Sequence, residues 1–166
     1  MTLARRRFLT GSAAALLGAL GLPRSASADS PTTPPLDKSQ LIYLTPVLTD
    51  GRESTCHGEV WFVHHEGEVY VCTQADAWRA QALQRGLTRA KVWIGEFGVW
   101  TRAGDRYRSA PFLELDGRLE TDAAVHAAVL SVFGSKYAAE WGSWGPRFRD
   151  GLADGSRVLL RYRPVS

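Results

Sequence analysis

The feature that most constrains this 166-residue chain is a strand, turn, strand and helix pattern in residues 52–84. Residues 54–63 and 69–73 are rich in β-branched and aromatic side chains, and the turn-forming segment between them contains Gly67. Residues 76–84 then change to helix-forming types, with apolar positions at helical spacing. This order places a helix start directly after a strand end, and we expect such a junction to suit an anion such as a phosphate.

Residues 1–28 have the features of an export signal. A basic cluster at residues 5–7 precedes a short apolar run, and the small residues 26–28 match a cleavage site. The run is too short and too rich in Gly and Ala for a stable membrane span. The sequence Arg-Arg-x-Phe-Leu resembles a bacterial twin-arginine signal, which directs export of folded proteins. We therefore predict a protein that is exported to the periplasm or the extracellular space.

Removing this signal changes what the charge of the chain implies. Residues 1–28 contain four of the 20 basic residues and none of the 17 acidic ones, so 16 basic residues remain and the net charge becomes −1. A chain so nearly neutral has no general electrostatic footprint for nucleic acid. Residues 29–38 are rich in Pro, Ser and Thr and are predicted to form a linker, which leaves residues 39–166 as one domain.

Two cysteines in an exported protein raise the question of a disulfide. With the turn centred near Gly67, Cys72 lies opposite Trp61, and Cys56 falls about five residues further along the hairpin on its other face. We therefore interpret both cysteines as small buried hydrophobic residues. A metal site is not predicted either, because His57 and His65 would be about 26 Å apart on one extended strand.

The rest of the domain consists of short strands and one further helix. The Trp/Gly-rich segment at residues 141–146 is assigned no helix. The second helix, residues 121–133, has a good start at Thr121 or Asp122. Six strands are predicted: 41–48, 54–63, 69–73, 91–101, 106–115 and 156–162. Antiparallel hairpins of this length with glycines inside the strands favour a mainly β (α+β) fold, a small closed or nearly closed barrel with two helices.

The text LTPVLTDGRESTCHGEVWFVHHEGEVYVCTQ, together with this element order, resembles the flavin-binding split barrel of the pyridoxamine-phosphate-oxidase-like and deazaflavin-dependent reductase superfamily. A closer similarity is to small split-barrel proteins with a W-[YF]-R-x-A motif after the third strand and a KY pair after the second helix. The corresponding residues are Trp78, Arg79 and Ala82, one position out of step, and Lys136 and Tyr137.

The resemblance implies a split β-barrel homodimer that binds flavin mononucleotide (FMN) or the deazaflavin F420 and transfers hydride through the cofactor ring. Thr73 and Arg79 would contact the phosphate, and Trp61 and Phe62 would lie near the ring. Trp78, which precedes Arg79 in the motif, belongs to the same predicted site. No catalytic residue is assigned.

Asp76 departs from the pattern of the flavin-binding proteins. A carboxylate at the start of the helix repels a phosphate and competes with it for the helix N-terminus. A second function therefore stays open, that of a binding or structural protein which kept the barrel and lost the cofactor.

Overall fold

The structure is a computed structural model and describes residues 36–165. The predicted export signal and most of the predicted linker lie outside the described residues. Seven strands are present: Ile42–Pro46 (β1), Gly58–Val60 (β2), Val63–His65 (β3), Glu68–Gln74 (β4), Arg89–Ile94 (β5), Phe112–Glu120 (β6) and Arg157–Pro164 (β7). Four α-helices accompany them: Trp78–Gln84 (α1), Trp100–Ala103 (α2), Ala123–Lys136 (α3) and Ala138–Asp154 (α4). Leu36–Lys38 and Gly104–Ser109 form short 3-10 helices.

The seven strands form one antiparallel sheet in the order β2-β1-β5-β6-β7-β4-β3. Its two outermost strands, β2 and β3, are consecutive in the chain and are joined only by Trp61 and Phe62. In a flat sheet, six spacings of about 4.8 Å would separate these strands by about 29 Å, far beyond the reach of a two-residue link. The sheet is therefore rolled into a barrel, which confirms the predicted fold class, with seven strands and four helices in place of about six and two.

A tight turn fixes the register of the β3–β4 hairpin. Glu66 and Gly67 both have positive φ angles, 52° and 80°, which is the backbone of a two-residue type I′ turn. His65 and Glu68 flank this turn as a cross-strand pair. The predicted hairpin is therefore confirmed at its tip, although its first strand is interrupted at residues 61–62.

Side chains of β4 alternate between two apolar layers, as expected for a strand that is covered on both faces. Val69 and Val71 point into the barrel interior, to which β1, β5, β6 and β7 also contribute apolar side chains. Tyr70 and Cys72 point outward, against α3 and α4. Helices α3 and α4 therefore cover one outer face of the barrel, beside the link between β2 and β3.

Helix α3 begins at one of the two positions the sequence indicated. The Asp122 carboxylate accepts hydrogen bonds from the backbone N–H groups of Ala124, at 2.7 Å, and Val125, at 3.3 Å. An N-cap of this type contributes about 1 kcal/mol.

Helix α4 contains residues 141–146, to which the sequence analysis assigned no helix. Trp141 and Phe148, seven residues apart and thus on one helical face, pack edge to face with ring centres 5.8 Å apart. At Gly145 a Cβ atom would lie 2.9 Å from the Trp141 ring, so a residue that weakens helices is required for packing here. Neither α4 nor any other helix in residues 36–165 combines the length and apolar character needed to cross a membrane.

Candidate functional site

The site is a gap between two strands that start as a hairpin and then separate. β3 pairs with β4 as far as Val63 and Tyr70, and continuing that register would place Trp61 opposite Cys72. Residues 58–60 pair with β1 instead. A cavity of about 540 Å³, which we call the split cavity, occupies the place of the missing pairs. From these two strands it is lined by Glu59, Val60, Trp61, Cys72, Thr73 and Gln74.

Backbone groups as well as side chains face the split cavity. Residues of an antiparallel hairpin alternate between hydrogen-bonded and non-hydrogen-bonded pairs, and the pair next to a two-residue turn is hydrogen-bonded. The hydrogen-bonded residues of the first strand are therefore His65, Val63 and, if the pattern continues, Trp61. The N–H and C=O of Trp61 thus point toward β4, and those of Phe62 point away from it. The hydrogen bonds agree, because the Phe62 N–H and C=O lie 3.0 and 2.8 Å from the Tyr137 hydroxyl.

Arg79 of α1 lines the split cavity and has unused hydrogen-bonding capacity. Its Nη1 donates to Thr73 Oγ1 at 3.0 Å, while its Nε is buried and has no hydrogen-bond partner among residues 36–165. Gly58 provides the space for the guanidinium, because a Cβ there would lie 2.7 Å from Nη2. A buried N–H without an acceptor costs about 1–3 kcal/mol.

Arg79, and not the helix that carries it, supplies positive charge to this part of the split cavity. Helix α1 has only seven residues, and Ala77 before it provides no side-chain cap. The macrodipole argument made from the sequence therefore has little weight here. Asp76 precedes the helix by two residues, is exposed and does not line the split cavity. The repulsion expected from Asp76 is reduced accordingly.

Aromatic rings of Trp61, Trp144 and Phe148 form one wall of the split cavity. Trp144 and Phe148 meet Trp61 edge to face, with ring centres 5.7 and 6.5 Å away. Trp61 also stacks on Tyr137, with ring centres 4.3 Å apart and an angle of 7° between the planes. This stacking fixes the plane of the Trp61 ring, so the wall is preorganised for contact with a flat apolar ligand.

The charges of the lining favour an anionic ligand. Arg157 lies 5.1 Å from the centre of the Phe148 ring and is the second guanidinium of the split cavity. Glu59 is the one carboxylate among the described lining residues, and it accepts a hydrogen bond from the Trp100 backbone N–H at 3.0 Å. Two guanidiniums and one carboxylate give the lining a formal charge of +1.

Cys72 supplies a thiol to the split cavity. Cys72 is buried, Cys56 is partly buried, and both are free. Burial raises the pKa of the Cys72 thiol to about 12, and the nearby Arg157 only partly opposes this effect. The thiol is therefore protonated at neutral pH, and Cys72 has neither the nucleophilicity nor the metal affinity of a thiolate.

Three of the five predicted cofactor-binding residues line the split cavity, namely Trp61, Thr73 and Arg79. Phe62 is completely buried in the barrel interior, and Trp78 lies outside the lining. The structure thus brings the first three residues together and separates the other two from them. The cofactor-binding role of all five stays a prediction.

Sequence reasoning missed Trp144, Phe148 and Arg157. Trp141, Trp144 and Phe148 recur at the spacing of one helical face, a signal that the glycines between them obscured. Arg157 lies near the start of the predicted last strand, 156–162. Nothing in the local sequence indicates that this strand pairs with β4.

No group of three or more His, Cys, Asp and Glu side chains in residues 36–165 is arranged to hold a metal ion. No histidine lines the described part of the split cavity. Instead, His57 Nδ1 lies 2.8 Å from Thr45 Oγ1 in a separate cluster.

The rolled sheet with an open seam is a split β-barrel, and comparison with solved structures supports this assignment. The heme storage protein HutZ from Vibrio cholerae superimposes with a TM-score of 0.55 and 16% sequence identity, covering 79% of this chain and 85% of that one. A candidate pyridoxamine 5'-phosphate oxidase from Listeria innocua gives a TM-score of 0.50 and 18% identity, covering 79% and 88%.

A third similar structure, from Clostridium acetobutylicum, is related to general stress protein 26 of the pyridoxinephosphate oxidase family. It gives a TM-score of 0.51 and 11% identity, covering 78% of each chain. At these identities the similarity shows a shared split β-barrel fold. No protein-family model and no curated protein matches this chain.

Proposed function

We propose that this chain binds a planar phosphorylated cofactor, FMN or the deazaflavin F420, in the split cavity and belongs to an oxidoreductase. The observation that carries the proposal is the Arg79 guanidinium, which lines the split cavity, is held by Thr73 and is fitted against Gly58. A phosphate group is one of the acceptors that the guanidinium fork of an arginine binds bidentately.

The remaining lining fits the rest of such a cofactor. The Trp61 ring supplies a flat apolar surface whose plane is set by stacking on Tyr137. Arg157 adds a second positive charge, and Glu59 adds a fixed hydrogen-bond acceptor held by the Trp100 N–H. When bound, the cofactor would supply the hydride chemistry, while these side chains bind it, orient it and exclude water.

The donor types in the split cavity favour a phosphorylated cofactor over heme, the ligand in the name of one structural neighbour. The described lining offers no histidine, and its one thiol, Cys72, is protonated. A neutral thiol is a poor iron ligand compared with imidazole or thiolate.

We also propose that the protein is a homodimer. Val99 and Trp100 are 43% and 36% exposed, and they lie beside the split cavity because the Trp100 N–H binds Glu59. A second subunit covering these side chains would also close the mouth of the split cavity. Light scattering of the purified protein tests this, and a monomer at micromolar concentration would contradict it.

Export by a twin-arginine route completes the proposal. It rests on the sequence of residues 1–28 and accounts for delivery of a folded protein with its cofactor in place. Replacing Arg5 and Arg6 by Lys should retain the protein in the cytoplasm, which cell fractionation measures. Unchanged export of the double variant would contradict this route.

A visible absorption spectrum of the purified protein, followed by titration with FMN and with F420, tests the cofactor proposal. We expect saturable quenching of tryptophan fluorescence at micromolar concentrations of one of the two cofactors. A protein that binds neither would instead support a split-barrel binding or structural protein without a cofactor.

A further inference from the structure

Tyr137, the second residue of the KY pair, connects the link between β2 and β3 to the segment that precedes β1. It lies between α3 and α4 in a non-helical conformation, with φ −114° and ψ 43°, and is only 3% exposed. Its hydroxyl accepts a hydrogen bond from the Phe62 N–H at 3.0 Å. The same hydroxyl can donate to the carbonyl of Phe62, at 2.8 Å, or of Gln40, at 2.9 Å.

This hydroxyl takes the place of a missing hydrogen-bonded residue pair between β1 and β2. β1 and β2 pair with the register Leu44↔Gly58 and Ile42↔Val60, so the next hydrogen-bonded pair would join Gln40 to Phe62. The Tyr137 oxygen lies between their backbone groups and bridges them. The link is therefore anchored to the β1 side of the barrel, while β3 begins immediately after it on the β4 side.

The ring of Tyr137 acts on the same link. It stacks on Trp61, the next residue along the chain, with ring centres 4.3 Å apart. The adjacent Lys136 places its Nζ 3.4 Å from the centre of the Phe62 ring, which holds the link from a second direction. One side chain thus fixes both the backbone at Phe62 and the plane of Trp61.

We propose that Tyr137 is a positioning residue for the cofactor site. It prevents β3 and β4 from pairing beyond Val63, and it sets the plane of the Trp61 ring for a flat ligand. This inference rests on the proposed function. Without the hydroxyl, the Phe62 N–H and C=O lose their partner, and residues 61–62 are free to extend the β3–β4 ladder across the split cavity.

Tyr43 provides a matched control because its hydroxyl makes the same kind of bridge elsewhere. It accepts from the Phe97 N–H at 2.9 Å and donates to the Gly98 carbonyl at 2.5 Å. Tyr43 is 1% exposed and stacks on Tyr107 in a cluster outside the split cavity. Tyr43→Phe and Tyr137→Phe therefore each remove one buried bridging hydroxyl.

The experiment compares FMN binding and amide hydrogen exchange in these two variants. We expect Tyr137→Phe to bind FMN at least tenfold more weakly than the wild type, and Tyr43→Phe to bind it within about twofold of the wild type. Equal weakening in both variants, or none in Tyr137→Phe, would overturn the proposal.

Hydrogen exchange of the ligand-free protein separates this inference from the proposed function. The Phe62 amide should exchange at least tenfold faster in Tyr137→Phe, while its exchange in Tyr43→Phe stays unchanged. If Phe62 exchange is faster in Tyr137→Phe but the wild type does not bind FMN, the anchoring role of Tyr137 is supported and the proposed cofactor is contradicted. Unchanged Phe62 exchange in Tyr137→Phe would refute the anchoring role whatever ligand is bound.

Discussion

Arg79 and Arg161 are both partly buried in this barrel, but their guanidinium groups have very different partners. Arg161 of β7 donates to Glu120 at 2.8 Å and also binds Glu68. These bonds raise the pKa of Arg161 above its usual value. Arg79 has only the neutral hydroxyl of Thr73 and keeps a buried Nε without an acceptor in the described chain. The first arrangement is complete within the described residues, whereas the second leaves one guanidinium N–H without an acceptor there.

The largest effect on stability should follow from removing the guanidinium of Arg161. Arg161→Met leaves the Glu68 carboxylate without its cation, and leaves Glu120, which is only 8% exposed, with the exposed Arg118 at 3.6 Å. We expect the free energy of unfolding to fall by about 2–3 kcal/mol, near the lower end for broken buried ion pairs.

Urea unfolding measures this loss, and FMN affinity should not change. The control is Arg163→Met on the same strand, whose exposed pair with Asp116 at 3.5 Å should contribute less than about 0.5 kcal/mol. A larger loss in the control than in Arg161→Met would contradict the comparison.

Arg79→Met should have the opposite pattern. Losing a charged hydrogen bond to phosphate should weaken FMN binding by about 1.5–3 kcal/mol, roughly 10- to 150-fold. The free energy of unfolding should change by less than about 1 kcal/mol, because the variant removes a buried N–H that had no acceptor.

Fluorescence titration and urea unfolding measure the two quantities. Arg85→Met is the matched control, since Arg85 follows the same helix, is exposed and stacks on Trp78 away from the split cavity. Weakened FMN binding in Arg85→Met would show that general surface charge is responsible.

Gly58→Ala tests whether the position of the Arg79 guanidinium matters as well as its charge. The added methyl group would lie 2.7 Å from Nη2 and should displace it. We expect about tenfold weaker FMN binding, equivalent to about 1.4 kcal/mol. Gly142→Ala, where no atom lies within 4 Å, should leave the affinity unchanged. Wild-type affinity in Gly58→Ala would mean that Arg79 does not contact the ligand through Nη2.

The smallest effect concerns pH. Burial alone would raise the pKa of Glu120, but hydrogen bonds from Arg161 and from the backbone of Asp122 and Thr121 lower it below its reference value of 4.5. Its contribution to stability is therefore complete above about pH 4.5 and is lost as the pH falls through the lower folded value.

Unfolding by urea at pH 7, 5, 4 and 3 should show this loss of stability. The loss should be smaller in Arg161→Met. An identical pH dependence in both proteins would show that other carboxylates are responsible.

Features formed by residues close together in the chain were predicted from the sequence. The proximity of Thr73 and Arg79 followed from the strand-to-helix junction, because six residues in a local turn cannot separate them far. Asp122, the observed cap, was one of two predicted helix starts beside Thr121, for the same local reason.

The contributions of Trp144, Phe148 and Arg157 could not be predicted in the same way. They come from α4 and β7, and they reach the split cavity through the packing of Trp141 against Gly134 of α3 and the pairing of β7 with β4. The division of the first hairpin strand at residues 61–62 depends on Tyr137, 75 residues away in sequence. Local patterns carry no signal for such contacts.

The central claim is that Arg79 binds the phosphate of a flat cofactor, and a double cycle of ligand and protein tests it most directly. FMN and riboflavin, which lacks the phosphate, are each titrated into the wild type and into Arg79→Met. We predict that the wild type prefers FMN and that Arg79→Met loses about 1.5–3 kcal/mol of this preference. A preference for FMN that is the same in both proteins, or absent in the wild type, would contradict the claim.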